Sequence, residues 1–167
     1  SGMTFGEDFP KEQGRIAMVS QSGAESSRLI FLCQDVNLYF SKIVNYGNAA
    51  DLDAPELLEY LAQDEETDII ALYIEGIKDE QRFMSAVKQC MKKKPVVILK
   101  AGLTKNGATV AAFHTASVTG SQAMWDDFFK QTGAIPAQTM DEVADILQCL
   151  TRIHKLKGRR VAIIGRG

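Results

Sequence analysis

The sequence lacks the features that would place it in a membrane or on nucleic acid. No apolar run approaches the roughly 20 residues that a membrane-spanning helix needs, and no basic-then-apolar signal segment opens the chain. Lysine and arginine total 19 against 21 aspartates and glutamates, so there is no basic excess to recruit nucleic acid. We therefore expect a soluble, cytoplasmic protein with neither a membrane nor a nucleic-acid partner.

Cysteine is also scarce. Cys33, Cys90 and Cys149 are odd in number, far apart and not arranged in CxxC pairs. This pattern argues against a disulfide framework and against a zinc site. We expect all three to be small core residues and expect no metal site.

The chain length favours one main domain. With 167 residues, the chain can bury one core well, whereas two halves would each be marginal. We assign the domain to residues 14–156, after an expression-tag remnant and linker at residues 1–13. Residues 157–167 begin with basic residues and continue with a strand-like apolar run at Val161 and a glycine turn. We interpret them as the truncated start of a following βα domain.

Strand-like and helix-like patterns alternate along the domain. The predicted strands lie at residues 16–20, 42–46, 68–75 and 96–100 and near 135, and the predicted helices at residues 24–35, 55–62, 79–93, 121–131 and 141–154. This alternation predicts a flavodoxin-like, doubly wound α/β fold: a mostly parallel sheet with helices on both faces. Ligands in such folds gather at the carboxyl ends of the strands.

The first predicted strand runs into the turn Ser20-Gln21-Ser22-Gly23 at the start of a helix. The first N–H groups of a helix have no intrahelical acceptor and lie at the positive end of its dipole, which favours an anion. Two hydroxyls and a glycine complete a candidate phosphate site. The same residues also suit an ordinary helix cap, and an FMN site of a flavodoxin-like protein would use the same geometry.

Glu75 ends the most apolar predicted strand, Ile-Ile-Ala-Leu-Tyr-Ile. A carboxylate is unfavourable there unless another group pairs with it or the chemistry uses it. The alternative is a carboxylate that leans into solvent at the edge of the sheet.

The two histidines lie in different surroundings. His154 has basic neighbours near a helix end, so a solvated face explains it and we assign it no role. His114 lies among small residues beyond the fourth strand. A neutral imidazole held at one nitrogen by a carboxylate such as Glu75 is a nucleophile toward phosphorus. A loop histidine satisfied by the backbone is the alternative.

Six blocks in the same order resemble the second domain of NDP-forming acyl-CoA synthetases, the acetyl-CoA and succinyl-CoA synthetase superfamily. The resemblance extends from about Gly14 to Leu150. The blocks are GRIAMVSQSGA (14–24), VNYGNAAD (44–51), LLEYLAQD (57–64), LYIEGIKD (72–79), KKPVVILKAG (93–102) and FHTASVTGS (113–121).

The resemblance implies a phosphoryl-transfer site built from three parts. His114 matches the family's phosphohistidine, which relays phosphate between an acyl phosphate and a nucleoside diphosphate. Glu75 matches the carboxylate that orients this histidine, which accounts for a charge at the end of so apolar a strand. The family's phosphate-holding turn corresponds to Ser20, Gln21, Ser22, Gly23 and Ala24.

The resemblance also implies the cofactors and partners. Phosphate is the ligand expected at this domain, whereas coenzyme A, ATP or ADP and magnesium bind through domains that we expect outside this chain. The implied partners are a CoA-binding domain and an ATP-grasp domain, in the parent protein or a partner subunit, with a homo-oligomer left open. Residues 14–156 are thus a predicted ligase domain, a synthetase fragment that we do not expect to be active alone.

The chain departs from the family pattern beside the predicted nucleophile. The family usually has Ser-His-Thr-Gly or Gly-His-Ala-Gly where this chain has Phe113-His114-Thr115-Ala116, and Glu25 stands where an apolar residue is common. Phe113 adds bulk, Ala116 restricts the backbone, and Glu25 repels phosphate if it faces the site. The sequence therefore leaves two functions open: a phosphate-relaying synthetase domain, or a non-catalytic ligase-like regulatory or assembly module.

Overall fold

A computed structural model describes residues 9–102 and 121–153, together with residues 162 and 165. In this part of the chain, strands and helices alternate as the sequence predicts. The strands are β1 (Ile16–Ser20), β2 (Phe40–Asn45), β3 (Ile69–Ile74), β4 (Val96–Lys100) and β5 (Ile135–Ala137). The helices are α1 (Gly23–Asp35), α2 (Ala54–Leu61), α3 (Glu80–Met91), α4 (Gln122–Thr132) and α5 (Met140–Arg152).

The five strands form one sheet in the order β2-β1-β3-β4-β5, and every neighbouring pair is parallel. The predicted flavodoxin-like, doubly wound fold is confirmed. Strand order reverses between β1 and β3, and crevices at such a switch point are where these sheets bind ligands. The register brings Ser20 level with Tyr73 on β3, and Ile74 level with Lys100 on β4.

Two apolar layers cover the sheet. Alternate residues of β1 face opposite sides: Ala17 and Val19 pack with α2, α3 and α4, whereas Ile16 and Met18 pack with α1 and α5. All residues of β1 and β4 are buried. Burial on both faces explains why these strands are continuous apolar runs without an alternating polar pattern.

The helix ends follow local sequence signals. Asp53 caps α2 in a capping box with Glu56, so two otherwise unpaired N–H groups have side-chain acceptors. Ser121 and Thr139 cap α4 and α5 with their hydroxyls. Gly133 ends α4 with φ of 74°, a left-handed conformation that glycine adopts without steric cost.

The prediction that all three cysteines are core residues is wrong for Cys149. Cys33 and Cys90 are buried, as predicted, and burial raises the pKa of their thiols to about 12 and about 11. Cys149 is exposed. Its helix α5 buries the stripe that contains Val143, Ala144 and Leu147, and Cys149 lies outside that stripe. None of the helices within the described ranges is both long and apolar enough to cross a membrane.

Gly14 provides the first testable prediction. A Cβ at this position would lie 1.9 Å from the main-chain oxygen of Tyr39, just before β2, so the backbone must shift to accept a side chain. We expect Gly14→Ala to lower the free energy of unfolding by roughly 2–4 kcal/mol. Gly23→Ala is the control, because a Cβ there meets no atom within 4 Å. Urea unfolding of the two variants checks this, and equal stabilities would contradict it.

Candidate functional site

The predicted anion turn lies where β1 enters α1, at the carboxyl edge of the sheet. Ser20 is fully buried, and its hydroxyl donates to the Ser22 carbonyl at 2.8 Å and accepts from the Ser22 N–H at 3.0 Å. Ser22 is the N-cap of α1, and its hydroxyl accepts from the N–H of Glu25. The two hydroxyls thus shape the turn, and main-chain N–H groups of the first helical turn remain as the donors that an anion would use.

The start of α1 is open to a ligand. Gly23 and Ala24 are exposed, and nothing lies within 4 Å of where a Cβ on Gly23 would be. These residues occupy the first turn, whose N–H groups have no acceptor inside a helix. Together with the positive end of the helix dipole, they suit a phosphate-sized anion.

Gln21 links this turn to Glu75. Its side-chain oxygen accepts hydrogen bonds from the main-chain N–H groups of Glu75 and, at 2.9 Å, of Gly76. The main-chain N–H of Gln21 donates to the main-chain carbonyl of Tyr73 at 3.1 Å. The main chain and side chain of Gln21 therefore tie the turn after β1 to the residues that end and follow β3, and the structure brings the predicted phosphate turn and Glu75 to one place.

Glu75 lies among tyrosines at this edge. Burial, with a smaller effect of Glu75, raises the pKa of Tyr73 to about 12. Burial, with smaller effects of Asp53 and Glu75, also raises the pKa of Tyr46. The Tyr46 hydroxyl is buried and makes no hydrogen bond with the residues that the structure describes. It can therefore bond a group from outside those residues.

The sequence interpretation missed Lys100 as a site residue. This last residue of β4 is only 6% exposed, and its ammonium group donates to the main-chain oxygens of Glu75, at 2.9 Å, and Ala101. Burial lowers its pKa to about 8, against an opposing effect of Glu75. A lysine that ends an otherwise apolar strand, much as Glu75 directly follows β3, was the signal that could have identified it.

His114 lies outside the described residues, as do Phe113, Ala116, His154 and the predicted strand at Val161. Its contact with Glu75 thus stays a prediction. Within the described residues, five of the predicted site residues lie together with Glu75 at the carboxyl edge of the sheet. They are Ser20, Gln21, Ser22, Gly23 and Ala24.

Glu25 faces a cleft of about 800 Å³ beside this edge, which Lys100 also lines. A carboxylate so near the start of α1 reduces the positive potential that an anion meets there. We expect Glu25→Gln in the full-length parent protein to lower the dissociation constant for inorganic phosphate about two- to five-fold, which corresponds to the usual strength of such charge effects. Asp35→Asn, at the far end of α1, is the control. An unchanged dissociation constant in Glu25→Gln would contradict this expectation.

Residues 13–150 match the family described as "Succinyl-CoA ligase like flavodoxin domain". The chain is 44% identical over 153 residues to the alpha subunit of ADP-forming acetate–CoA ligase II from Pyrococcus furiosus, covering 92% of this chain and 33% of the relative. It is 39% identical over 144 residues to the ADP-forming 4-hydroxybutyrate–CoA ligase of Nitrosopumilus maritimus, covering 85% of this chain and 20% of the relative.

A solved structure has the same fold. It is the dinucleotide-forming acetyl-coenzyme A synthetase 1 of Ca. Korarchaeum cryptofilum in complex with phosphate and ADP. The TM-score is 0.81 at 35% sequence identity, and the match covers 89% of this chain and 33% of that one. The chain thus spans a third or less of the length of these relatives.

Proposed function

Because the chain belongs to the NDP-forming acyl-CoA synthetase family through its succinyl-CoA ligase-like flavodoxin domain, we propose that it is the phosphohistidine-bearing domain of such a synthetase. In this role it relays phosphate between an acyl phosphate and a nucleoside diphosphate. His114 carries the phosphoryl group, Glu75 orients the imidazole, and the turn from Ser20 to Ala24 holds the phosphate.

The hydrogen bonds from Glu75 and Gly76 to Gln21 carry this proposal. They support it because they join the backbone of Glu75 to the turn before α1, at the switch point, and a phosphorylated histidine needs both a carboxylate and an open helix N-terminus. The carboxylate accepts the imidazole N–H and stabilises the positive ring as the other nitrogen attacks. The helix N–H groups bind the oxygens of the transferred phosphoryl group.

The chemistry has three steps in the direction of acyl-CoA formation. A ring nitrogen of His114 attacks the terminal phosphorus of the nucleoside triphosphate, and the bond to the nucleoside diphosphate breaks. The carboxylate of the acid substrate then takes the phosphoryl group, giving an acyl phosphate and free imidazole. Finally, the sulfur of coenzyme A attacks the acyl carbon, the bond between that carbon and the phosphate oxygen breaks, and the released phosphate takes up the thiol proton.

The other components of this reaction belong to the parent assembly. Phosphate fits the start of α1, where N–H groups and open space meet at Gly23. We propose that coenzyme A, ATP or ADP and magnesium bind through a CoA-binding domain and an ATP-grasp domain, in the same chain or a partner subunit. We further propose that the ligase domain spans residues 14–156 and that the protein acts in the cytoplasm.

Phosphoryl labelling of the full-length parent protein tests this function. After incubation with magnesium and ATP labelled at the γ-phosphate, we expect about one acid-labile phosphoryl group per chain. Addition of ADP should remove it as ATP, and addition of acetate with coenzyme A should remove it as phosphate. A protein that forms acyl-CoA without such an intermediate would contradict the proposal.

A non-catalytic regulatory or assembly module is the second candidate, favoured by Phe113, Ala116 and Glu25, which depart from the family pattern. This second function predicts a different result in the labelling experiment. The parent protein should take up no label and should retain its activity after His114→Asn.

A further inference from the structure

Lys100 is an ammonium group held inside the carboxyl edge of the sheet. Its side chain is 6% exposed, and its Nζ lies 5.7 Å from the centre of the Trp125 ring. Removing a charged group from water is strongly unfavourable unless hydrogen bonds and opposite charge compensate. The compensation here comes from two main-chain oxygens and from the nearby Glu75 carboxylate.

The main chain at Glu75 is held from both sides. The Glu75 N–H donates to the side-chain oxygen of Gln21, which belongs to the phosphate turn. The Glu75 carbonyl accepts from Lys100 at 2.9 Å, and Lys100 belongs to β4. These two bonds hold the backbone from which the Glu75 side chain extends.

Packing alone does not require a charge at this position. Lys100 lines a cleft of about 270 Å³ with Phe83, Trp125 and Phe128, to which Glu80 and Asp127 also contribute, and a methionine has nearly the same length and apolar area as the lysine stem. What a methionine cannot supply is the donor, because removing one partner of a buried polar interaction leaves the other unpaired. The charge therefore acts on the main-chain carbonyls of Glu75 and Ala101, which it holds directly.

We propose that Lys100 is a positioning residue for phosphoryl transfer, whose ammonium group holds Glu75 in the orientation in which its carboxylate receives the His114 imidazole. This inference rests on the proposed function and deepens it. An ammonium group has three N–H donors, two of which hold the Glu75 and Ala101 carbonyls.

This role depends on the protonated form of Lys100. Because burial lowers its pKa to about 8, the ammonium form predominates below that pH and is lost as the pH rises through it. Activity should therefore fall above pH 8. Among the described residues, Glu75 beyond β3 acts on Lys100 directly, and the other charged side chains that line the two clefts beside it are Glu80 on α3, Asp126, Asp127 and Lys130 on α4, Glu25 and Arg28 on α1, and Asp141 on α5.

Two variants of the full-length parent protein test the proposal. Lys100→Met removes the charge, and we expect the rate of His114 phosphorylation to fall about 10- to 100-fold with an unchanged KM for ATP. Lys100→Arg keeps a permanent charge, so it should recover much of the rate and move the alkaline fall to higher pH. Lys94→Met is the control, because Lys94 also donates to two main-chain oxygens, of Leu61 and Asp64, away from Glu75.

The outcomes separate this inference from the function on which it rests. Wild-type protein that takes up no label contradicts the proposed function itself. If the wild type is labelled and Lys100→Met is labelled at the same rate, only the role of Lys100 is overturned. The role of Lys100 is also overturned if Lys100→Met is labelled slowly but activity of Lys100→Arg falls at the same alkaline pH as in the wild type. That result would indicate that the lysine has a purely structural role.

Discussion

Replacing His114 with asparagine in the parent protein should abolish the phosphoryl label and lower kcat for acyl-CoA formation by at least about 10³-fold. Removing a covalent nucleophile removes the whole reaction path that passes through it, and losses of roughly this size or larger are usual. Asparagine keeps a polar side chain of similar size, so the fold should be retained. Quantifying the label per chain and measuring kcat on the same sample checks both effects.

The chain contains its own control for this substitution. His154 is the other histidine, and its basic neighbours Arg152 and Lys155 give it no predicted role. We expect His154→Asn to be labelled and to turn over like the wild type. If His114→Asn kept its label and His154→Asn lost it, the assignment of the nucleophile would be wrong.

Glu75→Gln should slow phosphorylation of His114 by about 10²-fold or more while ATP binding stays unchanged. Glutamine keeps the shape and the main-chain bonds to Gln21 and Lys100 but removes the negative charge. The amide cannot stabilise the positive imidazole that forms as the nitrogen attacks phosphorus, and it can orient the wrong tautomer. Rapid-quench measurement of label formation gives this rate directly.

Glu59→Gln is the matched control for Glu75→Gln. Glu59 is an exposed carboxylate of α2 that pairs with Arg82 at 3.3 Å, away from the carboxyl edge. Exposed pairs of this kind contribute at most about 1 kcal/mol to stability, so this variant should behave like the wild type. Equal labelling rates in Glu75→Gln and the wild type would remove Glu75 from the mechanism.

Much of the fold follows from the sequence because the central strands β1, β3 and β4 are buried on both faces. Such strands appear as short apolar runs bounded by glycine and proline, and β1 and β4 begin and end at the predicted residues. The start of β2 was less predictable: Phe40 and Ser41 join the strand although the expected start was Lys42. The hydrogen bonds of a neighbouring strand decide this, and no local residue pattern contains that information.

The site was predictable in its chemical groups but not in its connections. A carboxylate directly after β3 and a Ser-Gly turn after β1 can each be identified locally. The bond between Gln21 and Glu75 spans 54 positions, so it appears only when β1 lies beside β3. Lys100 was not predictable for the same reason. A lysine at a strand end is usually solvated, and only the three-dimensional structure shows that its ammonium group bonds the Glu75 carbonyl.

The location of the phosphoryl group tests the central claim most directly. The full-length parent protein should be incubated briefly with magnesium and ATP, digested under mildly alkaline conditions that preserve phosphohistidine, and mapped by mass spectrometry. Our account predicts one phosphoryl group, on His114, that ADP removes. An acid-stable phosphate on Thr115 or Ser117, or a removable phosphoryl group on a different histidine, would contradict it.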